Sequence, residues 1–254
     1  MRKLVIVALA TTCLSVGAPM ALAGGTGDAS PTQTQPAAEQ EPSPETGTAG
    51  TDCLDRTVDA IQARYERVRD FSARFVQTAR PAHIGAAAAE PITSRGRVVV
   101  SKPARMRWAY EEPEPSLVVS DGETLWIFDP AFGEAQRLPV GEGFLSGAAV
   151  QFLLGEGEMR RDFAITLLEC APDAVALELV PREPASYEKL RVVASPDDGR
   201  VGRTEVHDLL GNVTSVVFSE VEFDRDPPAG TFRFDPPEGV SVIDLTVPGG
   251  VPGP

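Results

Sequence analysis

Two histidines and three cysteines are all that this 254-residue chain holds of the side chains that most often bind transition metals or act as base and nucleophile near neutral pH. His207 and Asp208 are adjacent, as a general base and its orienting carboxylate would need, and any serine could complete a hydrolase. A polar pair ending a strand before the turn residues Leu209-Leu210-Gly211-Asn212 is the favoured reading of them. His83 sits in a run of small residues, and Glu111, Glu112 and Glu114 alternate with prolines in EEPEP, which reads as a solvated turn rather than a glycosidase pair. Asp197-Asp198-Gly199 opens like a calcium loop but lacks the further ligands and the distal glutamate. There is no G-x-S-x-G, H-E-x-x-H, C-x-x-C, Walker loop or dinucleotide glycine motif. The residues therefore assign no catalytic group, no metal and no cofactor, and a non-enzymatic role is expected.

The elements that carry these residues belong to one folded unit. A chain of 27.0 kDa with 42% apolar and 24% charged residues can bury one sizeable core, and its net charge of −14 repels phosphate backbones, so no nucleic-acid partner is expected. Arg2 and Lys3 precede an apolar run over residues 4–16, and Ala21-Leu22-Ala23 follows, the pattern of a cleavable signal peptide over residues 1–23. Its removal deepens the negative charge. Residues 24–51 contain Gly, Thr, Ser, Pro, Gln and Ala with four acids and nothing large to bury, which predicts a disordered acidic linker. Residues 248–254 read as a flexible tail, leaving 52–247 as the folded domain. Cys53 and Cys170 survive cleavage; in an oxidising compartment they form a bridge or remain two buried thiols, and spacing alone does not choose.

Residues 52–70 predict an amphipathic helix, with Leu54, Val58, Ile61, Tyr65 and Val68 on one stripe. From Phe71 the period becomes two. Strands are expected around Phe71, Val98, Trp108, Val118 and Ile127, over 164–168, 175–180, 190–194, 203–208, 214–223 and at 231–234, with Asp121-Gly122, Asp198-Gly199 and Gly211-Asn212 as turns. Residues 146–154 (SGAAVQFLL) predict a mid-chain helix that is apolar nearly all round and must be covered on every side. Strict alternation would put Val98, Val100, Met106, Trp108, Leu117, Val119, Leu125 and Ile127 on one side of the sheet, and Trp126 and Phe128 on the other. A curved sheet under helices can leave a hollow that admits hydrocarbon.

The ordered pieces Phe71-Ser-Ala-Arg-Phe-Val-Gln77, Gly96-Arg-Val-Val-Val-Ser-Lys-Pro103, Arg107-Trp108-Ala-Tyr110, Val119-Ser-Asp-Gly-Glu-Thr-Leu-Trp126, Phe152-Leu-Leu-Gly155, Leu177-Glu-Leu-Val-Pro181, Asp208-Leu-Leu-Gly-Asn-Val-Thr214 and the closing stretch from Phe232 to Ile243 resemble the outer-membrane lipoprotein carriers (LolA). The resemblance implies a mainly β fold with a helical lid: an incomplete, strongly curved antiparallel barrel of about 10–11 strands covered by an N-terminal and a mid-chain helix. It implies a monomeric periplasmic chaperone that shields lipoprotein acyl chains. Such carriers take cargo from an inner-membrane ABC-type exporter and give it to an outer-membrane receptor. Carried onto this chain, Leu54, Val58 and Ile61 with Leu153 and Leu154 would form the underside of the lid. Met106, Trp108, Val119, Leu125 and Ile127 would line the hollow.

The family's usual arginine before the second strand's closing proline is Lys102 here, so the expected lid latch is a point charge rather than a planar fork. An aromatic residue of the family is replaced by Met106, which fills irregular apolar space. An envelope stress sensor or a glycolipid-binding module of the same fold is the alternative within this architecture.

Overall fold

The computed structural model describes residues 48–82, 90–140 and 157–245. The predicted signal peptide, most of the linker, His83, the helix expected over 146–154 with Leu153 and Leu154, and the tail lie outside the described residues. Helix α1, Thr48–Arg67, begins four residues before the expected start and ends before Asp70. Residues 48–51 thus belong to the helix and not to the linker. Gly50 is a poor helix former yet is buried, so tertiary fixing near Cys53 carries the first turn where propensity alone would not.

Twelve strands form one sheet in the order β12-β6-β5-β4-β3-β2-β1-β11-β10-β9-β8-β7, one more than the upper expected number. The strands are β1 Asp70–Arg80, β2 Ile92–Ser101, β3 Arg105–Glu112, β4 Ser116–Asp121, β5 Thr124–Asp129, β6 Glu134–Pro139, β7 Phe163–Cys170, β8 Val175–Pro181, β9 Tyr187–Ala194, β10 Val201–Asp208, β11 Val213–Phe223 and β12 Ser241–Asp244. Neighbours are antiparallel except β12, which runs parallel to β6. Two meanders, β1–β6 and β7–β11, are joined by the pairing of β1 with β11, and a single helical turn, α2 (Met159–Asp162), leads into β7. The result is an open, strongly curved sheet rather than a closed barrel.

Residues 231–234 were expected as a strand and are not one. Ala229–Phe232 forms a 3-10 turn, because Pro227 and Pro228 before it and Pro236 and Pro237 after it offer no N–H to a ladder. The strand content there is supplied instead by β6, whose sequence EAQRLP has little apolar alternation, and by the four-residue β12.

Strand phase follows from the hairpins. Ser120 pairs with Leu125 and Val118 with Ile127; Met106 pairs with Ser120 and Trp108 with Val118. Met106, Trp108, Val118, Leu125 and Ile127 therefore share the inner, concave face with Val98 and Val100. Leu117 and Val119 do not. Across this turn an even-numbered residue on β4 faces the same way as an odd-numbered one on β5, so Val119 joins Arg107 and Trp126 on the outer face. There it is almost completely buried, on the side of β4 that the 3-10 turn covers. Trp126 and Phe128 also lie on that side, against the Phe234 ring at centroid distances of 5.5 and 5.1 Å.

The concave face carries two apolar clusters. Under α1, Cys53, Val58, Ile61 and Tyr65 meet Phe163, Leu167, Leu177, Leu179, Leu190 and Val192. Gly199 permits this approach: its φ is +67°, and a Cβ there would stand 2.2 Å from the Ala60 carbonyl oxygen. The second cluster gathers on the other half of the sheet around Phe75, Val98, Met106, Tyr110, Val118 and Leu125, with Val216.

Candidate functional site

The second cluster is built on β1, β2 and β3, where alternation turns Phe71, Ala73 and Phe75 toward the concavity. Gly96 opposite Phe75 makes room for its ring, since a Cβ there would meet the Ala109 carbonyl oxygen at 2.0 Å and the end of the Phe75 ring at 2.9 Å. Phe75 stacks tilted on Trp108 at 4.8 Å and edge-on to Tyr110 at 5.2 Å, and Phe218 of β11 meets Trp108 edge-on at 6.4 Å. The Tyr110 hydroxyl donates to Gln77 Oε1 at 3.0 Å in the interior. Burial pushes its pKa up to about 12, so it stays a neutral donor. Trp108, Ile127, Leu138 and Phe218 are only partly covered and form a large, soft rim around this cluster.

Of the predicted lining residues, Met106, Trp108, Leu125 and Ile127 are brought together here, whereas Val119 lies on the opposite side of the sheet. Val58 and Ile61 of α1, with Leu54 partly exposed beside them, belong to the first cluster and are packed against β7–β10. Sequence reading left Phe75, Tyr110 and Phe218 out of the site although their strands were recognised. Carrying alternation through the β1–β2 and β1–β11 pairings is the signal that finds them.

Lys102 stands at the C-terminal end of α1. Its ammonium donates to the Tyr65 carbonyl and, at 3.3 Å, to that of Glu66, so the cation occupies the negative end of the helix. Its backbone N–H donates to Arg69 O at 2.9 Å. At the other end Cys53 and Cys170 are joined in a disulfide, with Cα atoms 6.5 Å apart.

The remaining candidates do different work. His207 Nε2 contacts Glu205 Oε1 at 2.8 Å and not Asp208. The Asp208 carboxylate instead accepts the Leu210 and Asn212 N–H groups at 2.9 and 2.8 Å and fixes the turn, so the two do not form a base and its orienter. Among the described residues no group of three or more His, Cys, Asp or Glu is placed to hold a metal. A hollow of about 440 Å3 opens on the outer face where β1 and β11 bulge apart, and Arg74, Arg97, Glu220 and Glu222 among its walls suit no hydrocarbon chain.

The described residues thus present an apolar concave face on an open half-barrel, with His207 held by Glu205 and Asp208 engaged in its own turn. Residues 66–235 match the family described as outer membrane lipoprotein carrier protein LolA, and the chain belongs to that family. It is 32% identical over 190 residues to an outer-membrane lipoprotein carrier protein of Dechloromonas aromatica, covering 73% of this chain and 86% of that one. It is 36% identical over 153 residues to a carrier protein of the same description from Alkalilimnicola ehrlichii, covering 59% and 68%. A solved LolA superfamily protein from Nitrosomonas europaea aligns over 71% of this chain and 97% of its own at 16% identity and a TM-score of 0.39.

Proposed function

We propose that this carrier holds the acyl chains of lipoproteins against its concave face and moves lipoproteins through the periplasm from the inner to the outer membrane. Cargo would come from an ABC-type exporter and leave to an outer-membrane receptor. The observation that supports this most is the partly covered aromatic and aliphatic rim of Trp108, Ile127, Leu138 and Phe218 above the buried Met106 and Leu125, in a family of lipoprotein carriers.

The energetics set what such a protein must do. At about 0.8 kcal/mol per methylene, one long acyl chain in water costs on the order of 10 kcal/mol, which a carrier has to offset without holding so tightly that the receptor cannot take the cargo. Energy entering at the exporter leaves nothing here that needs a nucleotide. Residues 1–23 act as the export signal, residues 24–47 as a tether, and Lys102 holds the end of α1.

Equilibrium competition among a triacylated cysteinyl peptide, free palmitate and an unacylated apolar peptide tests the reading. Preference for the acylated peptide supports it; preference for the bare peptide would point to a sensor, and for the free lipid to a different lipid carrier. The exported form should begin at Gly24, which the mass of the protein recovered from the envelope reports.

A further inference from the structure

Apolar cargo reaches the inner face only where the cover moves or already stands clear. Helix α1 is tied at both ends and along its length. Near its N-terminus the Cys53–Cys170 bond fixes it to β7. Along one flank Arg160 of α2 reaches Asp55 and Asp59, each at 2.9 Å, while Gln62 accepts the Met159 N–H and donates to the Gly157 carbonyl, each at 3.0 Å. On the β9–β10 side Arg64 pairs with Asp198 at 3.0 Å.

The C-terminal exit is held as firmly. Lys102 takes the carbonyls of Tyr65 and Glu66, and the Arg69 N–H donates to Asp224 Oδ1 at 2.9 Å. The buried Asp70 carboxylate accepts the Arg225 and Asp226 N–H groups at 2.8 and 3.2 Å. Beneath the helix, Val58, Ile61 and Tyr65 are sealed into the β7–β10 cluster. No residue of α1 itself is buried in the β1–β5 cluster: contact is limited to its end, where Val68 joins the cluster edge and Arg64 lies over the Phe223 ring, while the rim side chains Trp108, Ile127, Leu138 and Phe218 are partly covered.

We infer that α1 is a fixed wall and not the moving lid, and that acyl chains are admitted and seated over the β1–β5 half of the concave face. This rests on the carrier reading and adds to it the side of entry and the part that stays still. The disulfide then serves to hold the wall and not to gate the site.

Amide hydrogen exchange on the full-length protein, free and loaded with a triacylated cysteinyl peptide, tests it. The exchange of α1 should change by less than about twofold on loading, while amides of β2 to β5 slow by about tenfold. Ile127→Glu and Phe218→Glu should each weaken binding of the same peptide by about tenfold or more, measured at temperatures where each variant is folded. Cys53→Ser with Cys170→Ser should leave the uptake rate within about twofold while lowering the melting temperature.

Exchange of α1 rising on loading, or uptake quickened severalfold once the bond is removed, would overturn the inference and make α1 the gate. If a variant does not fold, the exchange pattern of the unaltered protein still decides. Failure of the acylated peptide to bind at all would overturn the carrier reading together with this one, whereas binding with an opened α1 overturns this one alone.

Discussion

Single side chains show how the interior manages its few polar groups. Tyr65 and Tyr110 are both pushed up to about 12, chiefly by burial. A phenol whose folded value is raised contributes stability that is complete below its unfolded value near 10 and is lost as pH climbs through the folded one. The urea midpoint should therefore hold to about pH 10 and fall steeply toward 12; an alkaline limb already falling near pH 9 would contradict this. On the outer face, burial works against ionisation of Glu178 and Glu205. Hydrogen bonds from Lys189 and Arg191 to the former, and from His207 and Arg203 to the latter, prevail and hold both below the usual carboxylate value. Their contribution is present above that value and is lost as pH falls through the lower folded ones, so acid unfolding should set in below about pH 4.5 and should shift upward in Arg191→Ala. Lys102→Ala removes the cation from the last turn of α1 and should cost about 0.5–1.5 kcal/mol in a denaturant midpoint, with Lys102→Arg recovering most of it. Apart from Lys102 these partnerships were not legible in the sequence: Tyr110–Gln77 and the Glu178 pairs cross between strands, and the Arg203–Glu205–His207 contacts, though two residues apart, depend on the three sharing one face of β10.

Elements were read more reliably than their relations. The amphipathic stripe of α1 and most of the β alternation are visible in the sequence because period and turn chemistry are local. The phase error at Leu117 and Val119 arose one level up, since each strand's alternation is correct alone and only the β3–β4 and β4–β5 registers say which parity faces inward. The strands β6 and β12 escaped because their sequences carry almost no pattern; pairing partners make them strands. Two element-scale outcomes follow. Losing the Cys53–Cys170 bond, which closes a separation of 117 residues, should cost up to about 4–5 kcal/mol in the chain-entropy picture and show as a lower melting temperature after reduction. Gly199→Ala should cost more than about 2 kcal/mol, because the added methyl meets the α1 backbone and the positive φ disfavours it. A mild effect there would mean that α1 can step away from the β9–β10 turn.

At the scale of the whole molecule, the seam between the two meanders is the pairing of β1 with β11, which brings Phe71 opposite Phe223. A sheet whose central pair is so distant in sequence must close a long loop before that contact stabilises anything. Refolding with the disulfide intact should take milliseconds to seconds or longer, and a microsecond phase accounting for the full amplitude would show that the seam is not limiting. Because the curve never closes into a ring, the sheet also has borders, and at one of them the last strand is only the four residues Ser241–Asp244, running parallel to β6. Backbone left bare on six residues of β6 would be a template on which one copy could stack upon the next. A strand too brief to recruit a stranger occupies that place instead. At this border a second copy is thereby offered a hold of four residues, too few to nucleate a stack.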